Sequence, residues 1–422
     1  MTKPFLMSVC VCVLSANCFP TDSVQAQRWP SWRGPSDAGS TEHGTYADSW
    51  DDKKGVLWKV RLPGTGCSTP IVWDEHIVLT CPVDGKDAVV DFDADGKQRW
   101  STAVGKQRKG KHRNGSGSNP SAVTDGKRLF AYFKSGNLAA LDFKGEVKWK
   151  TNLQDRFSRD TLFWDLGTSP VLSDQFVVVA VMHGGGSFVA AFDKKDGELA
   201  WKVDRNYKTP TEGDHSYATP HVIQRDGKQR IIVWGAEHVT AHDAADGKVI
   251  WSAGDFNPKS KRNWVVVASS VVAGDVVVVP YGRGSRLAGV RLGGKGDATE
   301  SRRLWTRTDT GCFVPTPAVH KGRLYVLRDR GQVQCIDPKT GKTIWKDRLP
   351  KKSSSYYASP VVADGKLYAA REDGVIFVAN VEGKFKVLSE NDMGERVIAS
   401  PVPVSDRLLI RGEHHLFCIG TK

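Results

Sequence analysis

Short apolar runs alternate with turn residues along almost the whole chain, and the pattern recurs at a regular spacing. One complete copy covers residues 316 to 345, TPAVHKGRLYVLRDRGQVQCIDPKTGKTIW. Apolar and polar positions alternate within it over a few residues at a time, which is typical of short strands. Turn residues at Gly322, at 329 to 331 and at 337 to 341 separate these strands. The copy therefore predicts four short antiparallel strands.

Eight copies of this unit align on a Ser/Thr-Pro step at the start of the first strand. The residue before each step is small, as expected where innermost strands converge on one axis. The aligned steps begin at Thr69, Asn119, Ser169, Thr219, Ser269, Thr316, Ser359 and Ser400. The last strands of six copies carry Trp100, Trp149, Trp201, Trp251, Trp305 and Trp345, and Leu388 takes that place in a seventh. Because four-stranded units that repeat radially form a β-propeller, we predict an all-β, eight-bladed propeller of antiparallel blades.

The eighth copy has only three strands, because its last strand, HLFCIG, covers residues 415 to 420 near the end of the chain. The segment GVLWKV at residues 55 to 60 has the opposite property. Its Trp58 fits the position of a last strand, yet no strands of its own precede it. We therefore expect residues 55–61 to complete the last blade and to remove the open edge that an incomplete ring would expose.

The first residues have the features of an export signal. Residues 1–26 contain one lysine, an apolar core and the ending Val24-Gln25-Ala26. Lipid attachment at Cys18 is the less favoured alternative, since Asn17 is not the small residue usually required there. No other stretch is long and apolar enough for a membrane helix. We expect an exported protein, periplasmic or extracellular.

The remaining chain divides into a short arm and one large domain. Residues 27–54 form a polar leader arm, and we expect its Trp29 and Trp32 to hold it against the propeller. The alternative is that residues 38 to 54 are disordered. The repeats then continue without a break in composition, so residues 55–420 are predicted to form a single propeller domain.

Five cysteines follow the predicted signal, so they cannot all pair within one chain. A hairpin over residues 71 to 80 would bring Cys67 nearly opposite Cys81. Both a disulfide between these two residues and free, buried thiols remain open. The five cysteines are Cys67, Cys81, Cys312, Cys335 and Cys418.

A known motif occurs at the end of several copies. Residues 191 to 201 and 241 to 251 match A-x-D-x-x-x-G-x-x-x-W, and residues 335 to 345 differ only at the first position. On these residues the chain resembles the pyrroloquinoline-quinone-type propellers over residues 55–420. The resemblance implies that each outer tryptophan docks between neighbouring blades. We assign this structural role to Trp58, Trp100, Trp149, Trp201, Trp251, Trp305 and Trp345.

Two branches of that superfamily differ in function. Quinoprotein dehydrogenases, as the resemblance implies, hold pyrroloquinoline quinone on a tryptophan floor beneath adjacent cysteines. Their calcium ion is bound by Glu, Asn and Asp, and a second Asp acts as base. BamB-type scaffolds of outer-membrane protein assembly bind no cofactor and are similar to this chain in length, blade count and export signal. The leader segment WPSWRGP is also similar to that of exported propeller proteins of planctomycete-type bacteria.

The residues favour the scaffold branch. No two cysteines are adjacent after the predicted signal, and the chain is short for a quinoprotein dehydrogenase. We therefore predict a non-catalytic scaffold or binding protein without a catalytic residue, a metal or a cofactor. The alternative is a periplasmic quinoprotein oxidoreductase that uses pyrroloquinoline quinone and calcium.

The charge of the chain indicates where a partner binds. The formal net charge is +13, and the densest basic clusters cover residues 106 to 113 and 259 to 262. Both clusters connect the outer strand of one blade to the inner strand of the next. Such connections emerge on one side of the disc, together with the loops between second and third strands, and we call this side the loop-rich face. The other side, with short Asp/Gly turns, is the short-turn face.

We predict that the loop-rich face binds a protein or an anionic envelope or polysaccharide ligand. Nucleic acid is not an expected partner, and we expect a monomer. The alternative is that the aromatic residues of this face pack the loops onto the disc. The candidate binding residues are Lys106, Arg108, Lys109, Lys111, Arg113, Trp164, His215, Tyr217, Lys261, Arg262, Trp264, Arg328, Tyr356 and Arg371.

Overall fold

The computed structural model describes residues 28–51 and 53–421, which form eight small sheets arranged in a ring. The all-β, eight-bladed propeller predicted from the repeats is confirmed. The predicted export signal, residues 1–26, lies outside the described residues. Over the described ranges, no helix is long and apolar enough to cross a membrane.

Three short strands precede the first blade, and four blades follow in chain order. The early strands are β1 Arg28–Trp29, β2 Ser40–Thr41 and β3 Val56–Arg61. Blade 1 contains β4 Ile71–Trp73, β5 His76–Val83, β6 Lys86–Phe92 and β7 Gln98–Lys106. Blade 2 contains β8 Val123–Thr124, β9 Leu129–Tyr132, β10 Asn137–Leu141 and β11 Val147–Asn152, and the short helix α1 Leu153–Arg156 follows. Blade 3 contains β12 Val171–Leu172, β13 Phe176–Val181, β14 Phe188–Asp193 and β15 Leu199–Asp204. Blade 4 contains β16 His221–Arg225, β17 Lys228–Gly235, β18 His238–Asp243 and β19 Val249–Ala253.

The second half of the ring repeats the same order, with one inserted strand. Blade 5 contains β20 Val271–Ala273, β21 Val276–Tyr281, β22 Arg286–Arg291 and β24 Arg303–Arg307, while the inserted β23 Gly296–Asp297 pairs in parallel with β19 of blade 4. Blade 6 contains β25 Ala318–His320, β26 Arg323–Leu327, β27 Gln332–Ile336 and β28 Thr343–Arg348. Blade 7 contains β29 Val361–Ala363, β30 Lys366–Ala370, β31 Val375–Asn380 and β32 Lys386–Asp392. Blade 8 contains β33 Val402–Val404, β34 Arg407–Arg411 and β35 His415–Ile419.

The early strand β3 completes blade 8. It pairs antiparallel with β35, so that Val56 lies opposite Ile419 and Arg61 lies opposite His415. The sheet order β3-β35-β34-β33 places β3 on the outer edge of the blade. The predicted closure of the ring by residues 55–61 is therefore confirmed.

The outer-strand tryptophans contact the next blade in the ring. Trp201 Nε1 donates a hydrogen bond to Ala244 O at 3.1 Å. A Cβ atom at Gly247 would lie 2.4 Å from the Trp201 ring, and Gly247 has a φ of +73°, so glycine is required beneath the indole. The same two contacts, an indole N–H on a turn carbonyl and a turn glycine against the ring, are made by Trp58, Trp100, Trp149 and Trp305.

Three outer strands depart from this arrangement. Trp251 lies beside the inserted β23, and Trp345 packs on Phe385 with ring centroids 5.3 Å apart. In blade 7 the predicted position of Leu388 is wrong, because Ser389 pairs with Val378 in the register that the tryptophans occupy in other blades, and Leu388 is the extra residue of the β-bulge. Leu388 is instead 40% exposed.

A ring of hydroxyl groups joins the innermost strands. At seven of the eight junctions the backbone N–H of one Ser or Thr donates to the hydroxyl oxygen of the equivalent residue in the next blade, at 2.9 to 3.3 Å, and among the described residues the junction from Ser359 to Ser400 has no such bond. The hydroxyl ring consists of Thr69, Ser121, Ser169, Thr219, Ser269, Thr316, Ser359 and Ser400. In blade 2 the predicted step at Asn119 is wrong by two residues. Ser121 holds the position there, and Asn119 Oδ1 accepts a hydrogen bond from Ser116 N at 2.7 Å.

The leader arm enters the central channel from the short-turn face and then turns back. Strand β1 pairs with β4, and Arg28 Nε lies 3.0 Å from Asp74 Oδ1 in a turn of that face. Trp29 and Arg33 are buried, and Arg33 donates to the carbonyl oxygens of Pro317 and Pro360 at 3.1 and 2.9 Å. Strand β2 then runs beside β29. Over the described ranges, the leader arm is therefore packed against the propeller, as we expected from its aromatic residues.

The described cysteines are free thiols. Cys67 Sγ lies 2.9 Å from Asn114 O, and Cys81 Sγ lies 3.0 Å from Gly64 O. Of the two alternatives for Cys67 and Cys81, the structure contains the free thiols.

Candidate functional site

A cavity of about 350 Å³ lies on the axis of the ring and opens on the loop-rich face. Most of the hydroxyl ring forms its lower wall, and connections between blades form its upper wall. One side of Trp32, in the leader arm, lines this cavity. The other side of Trp32 lines a separate narrow space, together with Arg33 and Thr219. Trp32 therefore forms the base of this cavity, which we call the axial cavity.

Aromatic side chains form the upper wall of the axial cavity. Trp164 is 43% exposed at the mouth, and Tyr217 holds it by accepting a hydrogen bond from Trp164 N at 2.9 Å. The Phe163 ring lies outside the cavity, edge-on to Trp164 at 4.8 Å, and is 55% exposed. Across the cavity, the Arg283 guanidinium lies 4.5 Å from the Phe313 ring. The mouth therefore combines flat apolar surfaces with a cation.

Asp165 joins three parts of the upper wall. Its carboxylate accepts backbone N–H groups of Lys111 and His112 at 2.8 to 2.9 Å and forms a buried ion pair with Lys134 Nζ. A buried carboxylate needs such partners, because removing an unpaired charge from water is costly. The connection after blade 1 is thereby fixed to the connection after blade 2.

The predicted basic cluster at residues 106 to 113 is largely used within the loops. Arg108 pairs with Asp160 at 3.0 Å, and Arg113 pairs with Glu372 at 3.2 Å. The ammonium group of Lys111 donates to the carbonyl oxygens of residues 162 and 163 at 3.1 and 3.2 Å. The side chains of Lys106 and Lys109 are exposed on the surface. The cluster therefore holds the loops beside the axial cavity together, and Arg113 stays 67% exposed although it is paired.

The second basic cluster lies on the other side of the mouth. Lys261 Nζ lies 5.3 Å from the Trp264 ring, and Arg286 lies 5.6 Å from the same ring. Arg262 Nε donates to Thr211 Oγ1 at 3.1 Å. Lys259 is exposed. These contacts fix Trp264 beneath two cations.

The remaining predicted residues pack the loops. Tyr356 and Arg371 are only 2% and 4% exposed, so neither side chain is free to meet a partner from solvent. Burial alone would raise the pKa of Asp373, but hydrogen bonds from Arg371 and Lys352 lower it to about 2. Arg328 donates to a loop carbonyl at 3.4 Å, and His215 lies 3.9 Å from its neighbouring aspartate.

The axial cavity contains no set of oxygen ligands that fits calcium beside a quinone. Asp165 is already bound by Lys134 and two amides. Asn114 Oδ1 accepts from Arg396 at 2.9 Å, and Asn119 Oδ1 accepts from a backbone N–H. In the part of the chain that the structure describes, no cluster of three or more His, Cys, Asp or Glu side chains could hold a metal ion. These residues do not fit the calcium site that the resemblance to dehydrogenases implies.

Comparison with known proteins places this architecture in a family. The family model described as outer membrane protein assembly factor BamB matches residues 40–190 and 295–410, which is more than half of the chain. The chain belongs to the BamB family. A model of the EMC1 N-terminal beta-propeller domain also matches residues 123–314.

Individual BamB proteins are distant relatives of this chain. The BamB of Yersinia pestis is 24% identical over 342 residues, which cover 78% of each chain. The BamB of Salmonella typhimurium is 26% identical over 47% of this chain and 46% of its own length.

Solved structures share the fold with this member of the BamB family. BamB from Moraxella catarrhalis superposes with a TM-score of 0.60 and 15% identity, over 87% of this chain and 97% of that chain. A europium-containing methanol dehydrogenase superposes with a TM-score of 0.70 and 11% identity, over 93% and 91% of the two chains. At these identities the likeness concerns the fold alone.

Several residues of the axial cavity were not among the predicted site residues. Of the predicted set, Trp164 and Tyr217 line the cavity. The missed residues belong to the leader arm and to connections whose paths no repeat pattern describes. The alignment of Ser/Thr steps was the signal that could have identified the lower wall, since equivalent positions of innermost strands meet at the axis. The missed lining residues include Trp32, Cys67, His112, Asn114, Asp165, Arg283, Phe313 and Tyr357.

Proposed function

We propose that this protein is an exported, non-catalytic scaffold that holds a partner on its loop-rich face, around the mouth of the axial cavity. One observation carries the proposal: the axial cavity opens on this face beside the exposed rings of Phe163 and Trp164. Exposed aromatic surface beside a concave site is typical of binding surfaces. Membership of the BamB family supports a role in the cell envelope, because BamB proteins carry the name of outer membrane assembly factors. The partner is a protein or an anionic polymer of the envelope.

The titratable groups of the axial cavity support binding rather than catalysis. Burial raises the pKa of the Cys67 thiol to about 11, so this thiol stays protonated near neutral pH and is a poor nucleophile. Asp165 is held in an ion pair, and His112 Nδ1 accepts a hydrogen bond from Asn114 N at 3.1 Å. A general base needs a free acceptor near its substrate, and these groups are engaged by the protein itself.

Site-directed crosslinking tests which face binds. A photo-reactive amino acid is placed at Phe163, Lys109 or Lys259 on the loop-rich face, in cells that produce the exported chain. The control positions are Lys144, Lys195 and Lys339, exposed residues in turns of the short-turn face. We expect one crosslinked envelope partner from the first set alone. Crosslinks to that partner from the control set, or none from either set, would refute the proposal.

One observation favours a second function. Trp32 lies at the base of an axial cavity, which is where a quinoprotein oxidoreductase would hold a planar quinone. Against this, the oxygen atoms of Asp165, Asn114 and Asn119 are already engaged, as described above. Incubation with pyrroloquinoline quinone and calcium, followed by absorbance and dye-reduction measurements, separates the two functions. A stoichiometrically bound quinone that supports dye reduction would replace the scaffold by an oxidoreductase.

A further inference from the structure

The lower wall of the axial cavity presents hydroxyl protons that have no acceptor. Each of five hydroxyl oxygens accepts a backbone N–H from the neighbouring blade, and within residues 28–51 and 53–421 none of the five donates a hydrogen bond in turn. Because a hydroxyl group has one proton and two lone pairs, each can still donate. The five hydroxyls that line the cavity in this way are those of Thr69, Ser121, Ser169, Thr316 and Ser359.

Four side chains of the axial cavity that could accept hydrogen bonds from a ligand are, by contrast, already bonded to protein groups. The oxygen atoms of Asp165, Asn114 and Asn119 accept hydrogen bonds from protein groups. His112 Nδ1 also accepts one, so the neutral ring carries its proton on Nε2 and can only donate there. The five free hydroxyl protons therefore favour a ligand that has many acceptor oxygens.

The charges around the axial cavity favour an anion. Arg283 lines the upper wall, and Arg33 lies beneath the base, 5.7 Å from the Trp32 ring. Arg33 is 2% exposed, and its Nε and Nη1 have no hydrogen-bond partner among the described residues. The only carboxylate among the described lining residues, that of Asp165, is neutralised by Lys134. Arg283 therefore attracts an anionic group from above, whereas the charge of Arg33 below is partly offset by Asp37, which lines the same narrow space.

The aromatic surfaces continue from the axial cavity onto the loop-rich face. Trp164 lines the mouth, and Phe163 extends the apolar surface outward. A single small acid would use only the inner wall. A polymer of sugar rings would place one ring inside the cavity and the apolar C–H face of the next ring against these exposed aromatic side chains.

We propose that the axial cavity binds the terminal residue of an acidic polysaccharide, a sugar ring that carries a carboxylate or a sulfate group. The hydroxyl ring and Arg283 bind the anionic and ether oxygens, and Trp164 stacks on the next sugar. A volume of about 350 Å³ lies at the lower end of the range for ligand pockets, about 300–1,000 Å³, and suits the end of a chain rather than a long segment. This inference rests on the proposed function, since it names the ligand of the same face.

The test uses the full exported chain and defined oligosaccharides. Trigalacturonate supplies carboxylates, a sulfated trisaccharide of the same length supplies sulfates, and maltotriose is the neutral control. Sodium sulfate and sodium benzoate test the ion and the flat acid alone. Calorimetry measures affinity, and quenching of tryptophan fluorescence reports occupancy beside Trp32 and Trp164. We expect one acidic trisaccharide to bind at least about tenfold more tightly than maltotriose or either small ion.

Matched variants locate the bound sugar. We expect Trp164→Ala and Arg283→Gln each to weaken binding by about tenfold. The controls are Leu388→Ala, an exposed apolar residue of an outer strand, and Arg291→Gln, an exposed arginine at the end of β22; both should bind within about twofold of wild type.

Three results would overturn the inference: no binding of either acidic trisaccharide, equal binding of maltotriose or benzoate, or equal losses in the control variants. Failure of the proposed function has a different signature. If Phe163 and Lys109 crosslink a protein partner while the acidic trisaccharides do not bind, the scaffold stands and only the saccharide is wrong.

Discussion

Trp201 illustrates how single residues hold neighbouring blades together. Its indole is 8% exposed, donates to Ala244 O and covers Gly247 of blade 4. A buried aromatic ring of this kind contributes both apolar burial and a satisfied polar atom. Loss of the ring therefore opens a cavity between the sheets of blades 3 and 4.

We expect Trp201→Ala to lower the free energy of unfolding by about 3–5 kcal/mol, and Trp251→Ala to do the same. Chemical denaturation measures both. Leu388→Ala is the matched control on an outer strand, because this residue is 40% exposed and its truncation should cost no more than about 0.5 kcal/mol. A value near zero for Trp201→Ala would contradict its docking role, and a value near zero for Trp251→Ala would contradict the contribution of its buried ring beside β23.

His242, which contacts the turn residue Gly247, makes the stability of the fold depend on pH. The ring is fully buried, with Nε2 2.9 Å from Thr240 Oγ1 and Nδ1 2.9 Å from Gly247 O. Burial lowers the pKa of His242 to about 4. In the unfolded chain histidine titrates near about 6.5, so the unfolded state takes up a proton first and stability falls as the pH drops from about 6.5 to 4.

We expect His242→Gln to be less stable than wild type at pH 7.5 and the difference to shrink by about 2–3 kcal/mol at pH 4.5, because glutamine does not titrate. Urea denaturation of both proteins at the two pH values measures this. The difference between the proteins isolates His242 from carboxylates such as Asp87, whose pKa burial raises to about 6. A difference that is constant with pH would show that His242 does not titrate as inferred.

At the scale of elements, two segments from the start of the chain complete the ring in different ways. Strand β3 supplies the outer edge of blade 8, whereas β1 and β2 add to the inner edges of blades 1 and 7. Trp29, the last residue of β1, is 1% exposed and belongs to the apolar core shared by blades 1 and 8. Both segments are therefore part of the folded structure.

We expect deletion of residues 55–61 to cause aggregation, because it exposes the edge of β35 to pairing with another chain. Deletion of residues 28–45 should leave a soluble ring that unfolds at a lower temperature and loses the base of the axial cavity. Size-exclusion chromatography and thermal unfolding measure these outcomes. If both deletions aggregate equally, the leader arm is as necessary for closure as β3 is.

The sequence allowed one of these two elements to be predicted. Trp58 marks β3 as an outer strand, and the missing strand of the last copy identifies its partner, so repetition alone specifies the pairing. The path of the leader arm could not be predicted in this way. Its position depends on single hydrogen bonds from Arg33 to Pro317 and Pro360, which join distant parts of the chain without any periodic pattern. The position of Trp32 at the base of the axial cavity depends on that path, so it could not be predicted either.

At the scale of the whole molecule, some of the excess basic residues form ion pairs within the fold, and others lie on the surface without an acidic partner among the described residues. Arg108 and Arg113 are in ion pairs, whereas Lys106, Lys109 and Lys259 are exposed on the loop-rich face. Sequence clusters therefore located the loops correctly but could not distinguish paired from solvent-facing charges. That distinction depends on acids such as Glu372, which lie far away in the sequence.

We expect reversal of Lys106, Lys109 and Lys259 to glutamate to abolish retention on heparin at ~0.15 M salt, where the screening length is about 8 Å, and to leave the melting temperature nearly unchanged. The control reverses Lys144, Lys195 and Lys339 on the short-turn face, which changes the net charge equally. Equal loss of retention in both variants would mean that total charge, rather than one face, attracts the anion.

The pairing of β3 with β35 also sets the timing of folding. Val56 is synthesised about 360 residues before its partner Ile419. At ~5–20 residues per second, roughly 20–70 s separate the two strands on the ribosome. Throughout that interval the ring of seven earlier blades is not closed, and β3 lacks its partner strand β35. We therefore expect the unclosed ring to be prone to association until the strands of blade 8 are synthesised, and loss of β35 to harm folding more than its five residues imply.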